Sequence, residues 1–102
     1  MILVRMVFQA KWGKAGQAAN DYKQNAELMR KVLGPDVRVR FLTDLSGPFD
    51  TFVQEMEVES LAAWEKLRVK IFTNPEFQEV LSRRENPFES GRTEFYTIEA
   101  TI

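Results

Sequence analysis

An α+β domain of element order βαββαβ is the fold class this sequence predicts, and three observations carry it. Residues 2–9, 36–44, 50–58 and 93–101 alternate apolar with polar side chains, the period of a strand with one face buried. Residues 16–33 and 60–84 repeat their apolar side chains every three or four positions, the period of a helix lying on a core. The second and third alternating stretches are joined by a short run containing Ser46-Gly47-Pro48, so they read as an antiparallel hairpin.

The first strand sets Ile2, Val4, Met6 and Phe8 on one face and Leu3, Arg5, Val7 and Gln9 on the other. Lys11-Trp12-Gly13-Lys14-Ala15-Gly16 follows, its two glycines letting the chain turn into a helix. That helix carries Ala19, Tyr22, Ala26, Met29 and Leu33 on one stripe, and Gly34-Pro35 stops it. The second strand alternates Val37, Val39 and Phe41 against Arg38, Arg40 and Leu42; the third alternates Phe52, Gln54, Met56 and Val58 against Val53, Glu55 and Glu57. Ser60 is placed to cap the next helix, whose stripe is Leu61, Trp64, Leu67 and Ile71. Asn74-Pro75 reads as a fresh cap with proline at the first helical position, and Phe77, Val80, Leu81 and Arg84 continue the stripe. Arg84–Gly91 is polar and reads as a loop, and Thr93–Thr101 closes the chain as a strand. The expected architecture is ferredoxin-like: a four-stranded antiparallel sheet with helices on one face, in a single domain spanning 1–102.

Such a sheet leaves its other face uncovered. Here that face gathers Leu3, Arg5, Val7, Arg38, Arg40, Leu42, Val53 and Glu55. A solvated surface is one reading; an interface with a second copy is the preferred one, because Leu3, Val7, Leu42 and Val53 together make an apolar patch. The arginines and Glu55 would pair within or across that interface, setting register more than affinity, since desolvation offsets most of the Coulombic gain. The fourth strand adds either Phe95, Thr97 and Glu99 or Tyr96, Ile98 and Ala100 to this face, and alternation alone leaves both open.

Composition removes whole classes of chemistry. There is no Cys, hence no disulfide, thiol nucleophile or thiolate metal site, and no His, hence no imidazole base or ligand. Acid–base work falls to Asp, Glu, Lys, Tyr or the ligand itself, and neither metal nor cofactor is expected. Fifteen acidic against fourteen basic residues give a net charge of −1, with no global field to recruit nucleic acid or an anionic membrane. No apolar run is long enough to span a bilayer, and a cysteine-free chain suits a reducing, cytoplasmic location. Glu55 and Glu57, two apart on one strand face, make a carboxylate pair, but Arg5, Arg38 and Arg40 turn the better reading towards an ion-pair network. Phosphate loops, nucleophile elbows and metal-ligand spacings are missing.

The stretch Met56-Glu57-Val58-Glu59-Ser60-Leu61-Ala62-Ala63-Trp64, followed by Phe72-Thr73-Asn74-Pro75-Glu76-Phe77, resembles the dimeric α+β-barrel superfamily. In that pattern a strand ends in an acid, a helix starts at Ser, and a small residue–Pro–x–aromatic segment follows; Lys14 to Gly16 is similar to its Gly/Lys lead-in to the first helix. The superfamily includes antibiotic-biosynthesis-type monooxygenases, haem-degrading monooxygenases, stress-response barrels and the NIPSNAP group. The resemblance implies a homodimer in which two ferredoxin-like subunits join their sheets into a shared barrel with the helices outside. It also implies a small apolar or aromatic ligand in a cavity beneath Met6, Tyr22, Phe41 and Trp64, with cofactor-independent monooxygenase-type chemistry. The competing reading is a non-enzymatic dimeric structural or stress-response module with a filled core. The chain departs from the family pattern at Val58, where monooxygenase members commonly carry Trp, and near Leu67 and Glu76, where histidines are frequent. The Asn used by haem-degrading members falls at or beside Met6. Trp64 shares a stripe with Leu61, Leu67 and Ile71 and reads first as core; Tyr22 reads as a core tyrosine whose hydroxyl finds a partner. Trp12, in the first loop, either closes a pocket mouth or packs on a partner subunit.

Overall fold

The alternating stretches form one sheet in a computed structural model of the chain, which describes residues 1–83 and 85–102. Arg84, expected at the end of the second helical stretch, lies outside the described residues. The strands are β1 (Ile2–Ala10), β2 (Arg38–Thr43), β3 (Thr51–Val58) and β4 (Phe88–Thr97), in the spatial order β2-β3-β1-β4 with every neighbouring pair antiparallel. Helices α1 (Ala15–Gln24), α2 (Ala26–Leu33), α3 (Leu61–Thr73) and α4 (Pro75–Arg83) complete the ferredoxin-like α+β arrangement.

Local chemistry sets most boundaries. The Ser60 hydroxyl accepts the Ala63 N–H at 3.1 Å and starts α3; Asn74 Oδ1 accepts the Phe77 N–H at 2.9 Å and starts α4, with Pro75 as its first residue. Gly34 ends α2 at φ 86°, a conformation with little cost only for glycine. Helix α1 has no cap of its own. Asp50, from the connection between β2 and β3, supplies one: its carboxylate accepts the N–H groups of Gly13 (2.9 Å) and Ala15 (3.2 Å), while its own backbone sits at φ 60°.

The core follows from the inner sheet face. Val4 and Met56 are wholly buried and pack with Met29, Leu33, Val58 and Trp64. Beside them lies an aromatic stack centred on Phe52, also wholly buried, whose ring lies 5.3 Å from Tyr22, 5.9 Å from Phe41, 5.6 Å from Phe88 and 6.4 Å from Phe8.

Three expectations are corrected. The helix expected over 16–33 divides at Asn25, whose side-chain amide donates to the Asp21 carbonyl at 2.8 Å in competition with regular helix bonding. The buried set is therefore Ala15, Ala18, Met29, Val32 and Leu33, and Ala26 is exposed. Leu61, the first residue of α3 beyond its Ser60 cap, is 56% exposed rather than part of the buried stripe. The last strand runs Phe88–Thr97, not 93–101, because β1 supplies its partner from Ala10↔Phe88 to Ile2↔Thr97 and ends there. Residues 88–91, expected as loop, are held by that ladder and by Phe88 stacking on Phe8 at 4.5 Å. Gly91 lies directly opposite Phe8; a Cβ there would sit 2.7 Å from the Phe8 ring, so the glycine lets the aromatic side chain lie over the strand.

Candidate functional site

Register brings Phe41, Gln54, Met6 and Thr93 into one row across the helix-facing side of the sheet. Between this row and the helices is a cavity of about 430 Å³. Met6, Gln54 and Thr93 form its floor, Trp64 and Ile71 of α3 and Phe77 of α4 its walls, with Tyr22 at one side. Of the four side chains expected to meet there, Met6, Tyr22 and Trp64 border the space. Phe41 does not: its ring stacks on Tyr22 at 4.7 Å. Trp64 is only 7% exposed and belongs at once to the core cluster and the cavity wall. The cavity opens over β4, where Thr93 is exposed and Phe95, edge-on to Trp64 at 6.5 Å, is half-exposed. Trp12 takes no part in it; it is 80% exposed and packs edge-on against Phe49 at 5.4 Å.

Gln54 is the residue the sequence reading missed. It is 5% exposed, the one buried polar side chain among the described residues, set between Phe52 and Met56 on an otherwise apolar strand face. Its carboxamide makes no hydrogen bond within the described residues, while no fully enclosed side-chain N or O among them lacks a partner. The carboxamide is therefore open to the cavity rather than sealed in packing. Among the described residues the one charged side chain bordering the space is Arg68, half-exposed and paired with Glu65 at 3.2 Å.

The opposite face carries a row of alternating charge that crosses all four strands: Arg40, Glu55, Arg5 and Glu94 are successive register neighbours. Arg40 pairs with Glu55, Arg5 Nε lies 3.4 Å from Glu55, and Arg5 Nη1 lies 3.1 Å from Glu94. Arg92 (2.7 Å) and the Tyr96 hydroxyl (3.0 Å) also donate to Glu94. The network expected for Glu55 is present. The fourth-strand alternative resolves to Tyr96 outward and Phe95 and Thr97 towards the helices, which adds Glu94 and Arg92 to this face. Alongside, Val7 and Val53 are already buried within one chain, Leu3 is half-buried and Leu42 is 38% exposed. Arg38 lies opposite Glu57 at the next register position and is exposed.

The network perturbs two groups in opposite senses. Hydrogen bonds from Arg92 first, then Tyr96, hold the Glu94 carboxyl below its ordinary range, and the bond to Glu94 pushes the Tyr96 phenol above its own. A lowered carboxyl pKa gives stability that is present above the unfolded value and lost as pH falls through the folded one. A raised phenol pKa gives stability that is present below the unfolded value and lost as pH rises through the folded one. Tyr96 should accordingly titrate above about 10, and Glu94→Gln should return it towards that value. A spectrophotometric tyrosinate titration of the two proteins checks this; an unshifted Tyr96 in the parent chain would refute the bond.

No protein-family model matches the chain, and no curated protein sequence matches it. Solved structures do. The chain is similar to an uncharacterised NIPSNAP-like domain protein from Burkholderia xenovorans, with a TM-score of 0.86 at 18% identity over 99% of this chain and 88% of that one. It is similar to the heme-degrader MhuD from Mycobacterium tuberculosis, whose structure holds two hemes in its active site (TM-score 0.75, 10% identity, 100% of this chain and 99% of that one). A candidate antibiotic biosynthesis monooxygenase from Deinococcus radiodurans matches at a TM-score of 0.67 and 14% identity, over 100% of this chain and 96% of that one. What they share with this chain is the fold. It is the fold implied by the stretch from Met56 to Phe77, and chemistry does not travel with it.

The MhuD structure holds heme, and the residues present here fit that group poorly. The chain has no His or Cys, the imidazole and thiolate that most often bind the iron, and among the described residues one cation, Arg68, borders the cavity to meet two propionates. Among the described residues no three acidic side chains converge as a metal site, and no helix is long and apolar enough to cross a membrane.

Proposed function

We propose that this chain binds a small apolar or aromatic molecule in the cavity between its sheet and helices. The cavity itself carries the reading: about 430 Å³, within the range of small-molecule sites, walled mainly by aromatic and aliphatic side chains with few polar groups. Among the described residues no carboxylate or lysine lines the space, so acid–base work there falls to Tyr22 or to the ligand. One reaction class asks little more of such a wall: cofactor-independent monooxygenation, in which an electron-rich ligand itself reduces oxygen inside a dry pocket. Equilibrium dialysis with naphthalene is the test. Saturable binding of one molecule per chain, weakened at least tenfold by the cavity-filling change Ile71→Trp, is expected; uptake that does not saturate would refute it.

The open sheet face supports a second element of the proposal, a homodimer. No helix among the described residues covers this face, and it sets exposed Leu42 and half-exposed Tyr96 around a row of paired charges with no net sign. A two-fold copy would cover the apolar side chains and meet complementary charge. Sedimentation at micromolar concentration should give twice the chain mass, and a monomer there would refute it.

A further inference from the structure

Gln54 is a costly choice for its position. The inner face of β3 is otherwise Phe52, Met56 and Val58, and a buried carboxamide without a partner loses the hydrogen bonds that water gave it in the unfolded chain. Packing does not explain it, since Leu or Met would fill the same volume without an amide to satisfy. The carboxamide has no protein partner among the described residues, yet is not sealed away; it looks into the cavity, with the Thr93 hydroxyl on the far side of Met6.

We infer that Gln54 is the specificity-determining residue of the cavity and that the ligand is an uncharged aromatic compound bearing a hydroxyl group. This rests on the cavity being a ligand site. The aromatic body follows from the walls: Tyr22, Trp64, Phe77 and Phe88 border the space, and flat rings find their preferred offset and edge-on partners there. The absence of charge follows from the floor. Among the described residues no acidic side chain borders the cavity to balance a cation, and Arg68, the one charged neighbour among them, is half-exposed and already paired with Glu65. The hydroxyl follows from the carboxamide, which presents an NH₂ donor and a C=O acceptor. A hydroxyl donates and accepts, so it satisfies whichever of the two faces it; an ether or ketone accepts only, and a hydrocarbon leaves both unpaired once it has displaced the water. A site built around such a group rejects analogues that lack it more sharply than an apolar wall distinguishes sizes.

Equilibrium dialysis with naphthol, methoxynaphthalene, naphthalene and the cationic aminomethylnaphthalene tests the inference, on the parent chain and on Gln54→Met. The parent should prefer naphthol to both neutral analogues and bind the cation weakest. Gln54→Met should lower the ratio of naphthol to naphthalene affinity about three- to tenfold while naphthalene itself binds no worse. The ratio cancels the hydrophobic differences between the probes. Should Gln54→Met not fold, the parent chain still decides: the Gln54 side-chain amide resonance should shift with naphthol and not with naphthalene. An unchanged ratio, an unmoved amide, methoxynaphthalene binding as tightly as naphthol, or a cation binding as tightly would each overturn the assignment. If naphthalene also fails to bind, the cavity reading itself has failed, and that result is distinct from one in which naphthalene binds and naphthol gains nothing.

Discussion

Phe52→Ala should lower the unfolding free energy by about 3–5 kcal/mol. Phe52 is wholly buried, and its ring contacts those of Phe8, Tyr22, Phe41 and Phe88, which come from β1, α1, β2 and β4. Removing it deletes a large apolar surface and, with it, the one ring that all four others share. The neighbours cannot close the gap easily, because Phe8 is held over Gly91 and stacked on Phe88, while Tyr22 and Phe41 are stacked on each other. For a domain of about a hundred residues, each kcal/mol moves the thermal midpoint by roughly 4–8 °C, so a fall of more than about 10 °C is expected. A loss of that size is a large part of the 5–15 kcal/mol typical of such domains. Urea unfolding of the two proteins measures it directly. A change below about 1 kcal/mol would mean that the stack repacks and is not the centre of the fold.

The fold was legible because period and punctuation agree along most of the chain. Strands one to three, the caps at Ser60 and Asn74 and the stop at Gly34 are local signals, and local signals survive folding. Three features left no pattern to read. Residues 88–91 carry no strand pattern and become strand because β1 offers an unpaired edge. The α1 cap comes from Asp50, some 35 positions away in sequence, so no motif beside the helix reveals it. The split at Asn25 leaves the periodicity nearly intact while turning Ala26 outward. The candidate site divides the same way. Met6, Tyr22 and Trp64 could be placed from their stripes, whereas Phe41 lies on the correct face and is drawn aside by an aromatic partner that alternation does not encode. Gln54 did leave a trace, a lone amide on an apolar strand face; what the sequence could not supply is that nothing among the described residues answers it. Glu94 and Arg92 were hidden by the open choice of face for the fourth strand, which the contact of Phe95 with Trp64 decides.

Trp64→Ala should separate the two roles that one side chain holds here. Its inner edge packs with Val4, Met29, Leu33, Met56 and Val58, and its outer edge borders the cavity. A tryptophan enclosed on every side would cost about 3–5 kcal/mol on truncation. Trp64 already faces empty space on one side and has fewer contacts to lose, so the expected cost is at the low end, about 3 kcal/mol. The cavity grows as the indole leaves, and a planar ligand loses the wall against which it would stack. Naphthalene binding, followed by equilibrium dialysis, should therefore weaken by about tenfold in the folded variant, near the worth of one aromatic contact. Each pure alternative gives a different pair of readings. A loss of 4 kcal/mol or more with unchanged binding would make Trp64 a core residue only, whereas near-parent stability with abolished binding would make it a ligand contact only. The joint loss is what the geometry requires, because the same ring closes the core below and walls the cavity above.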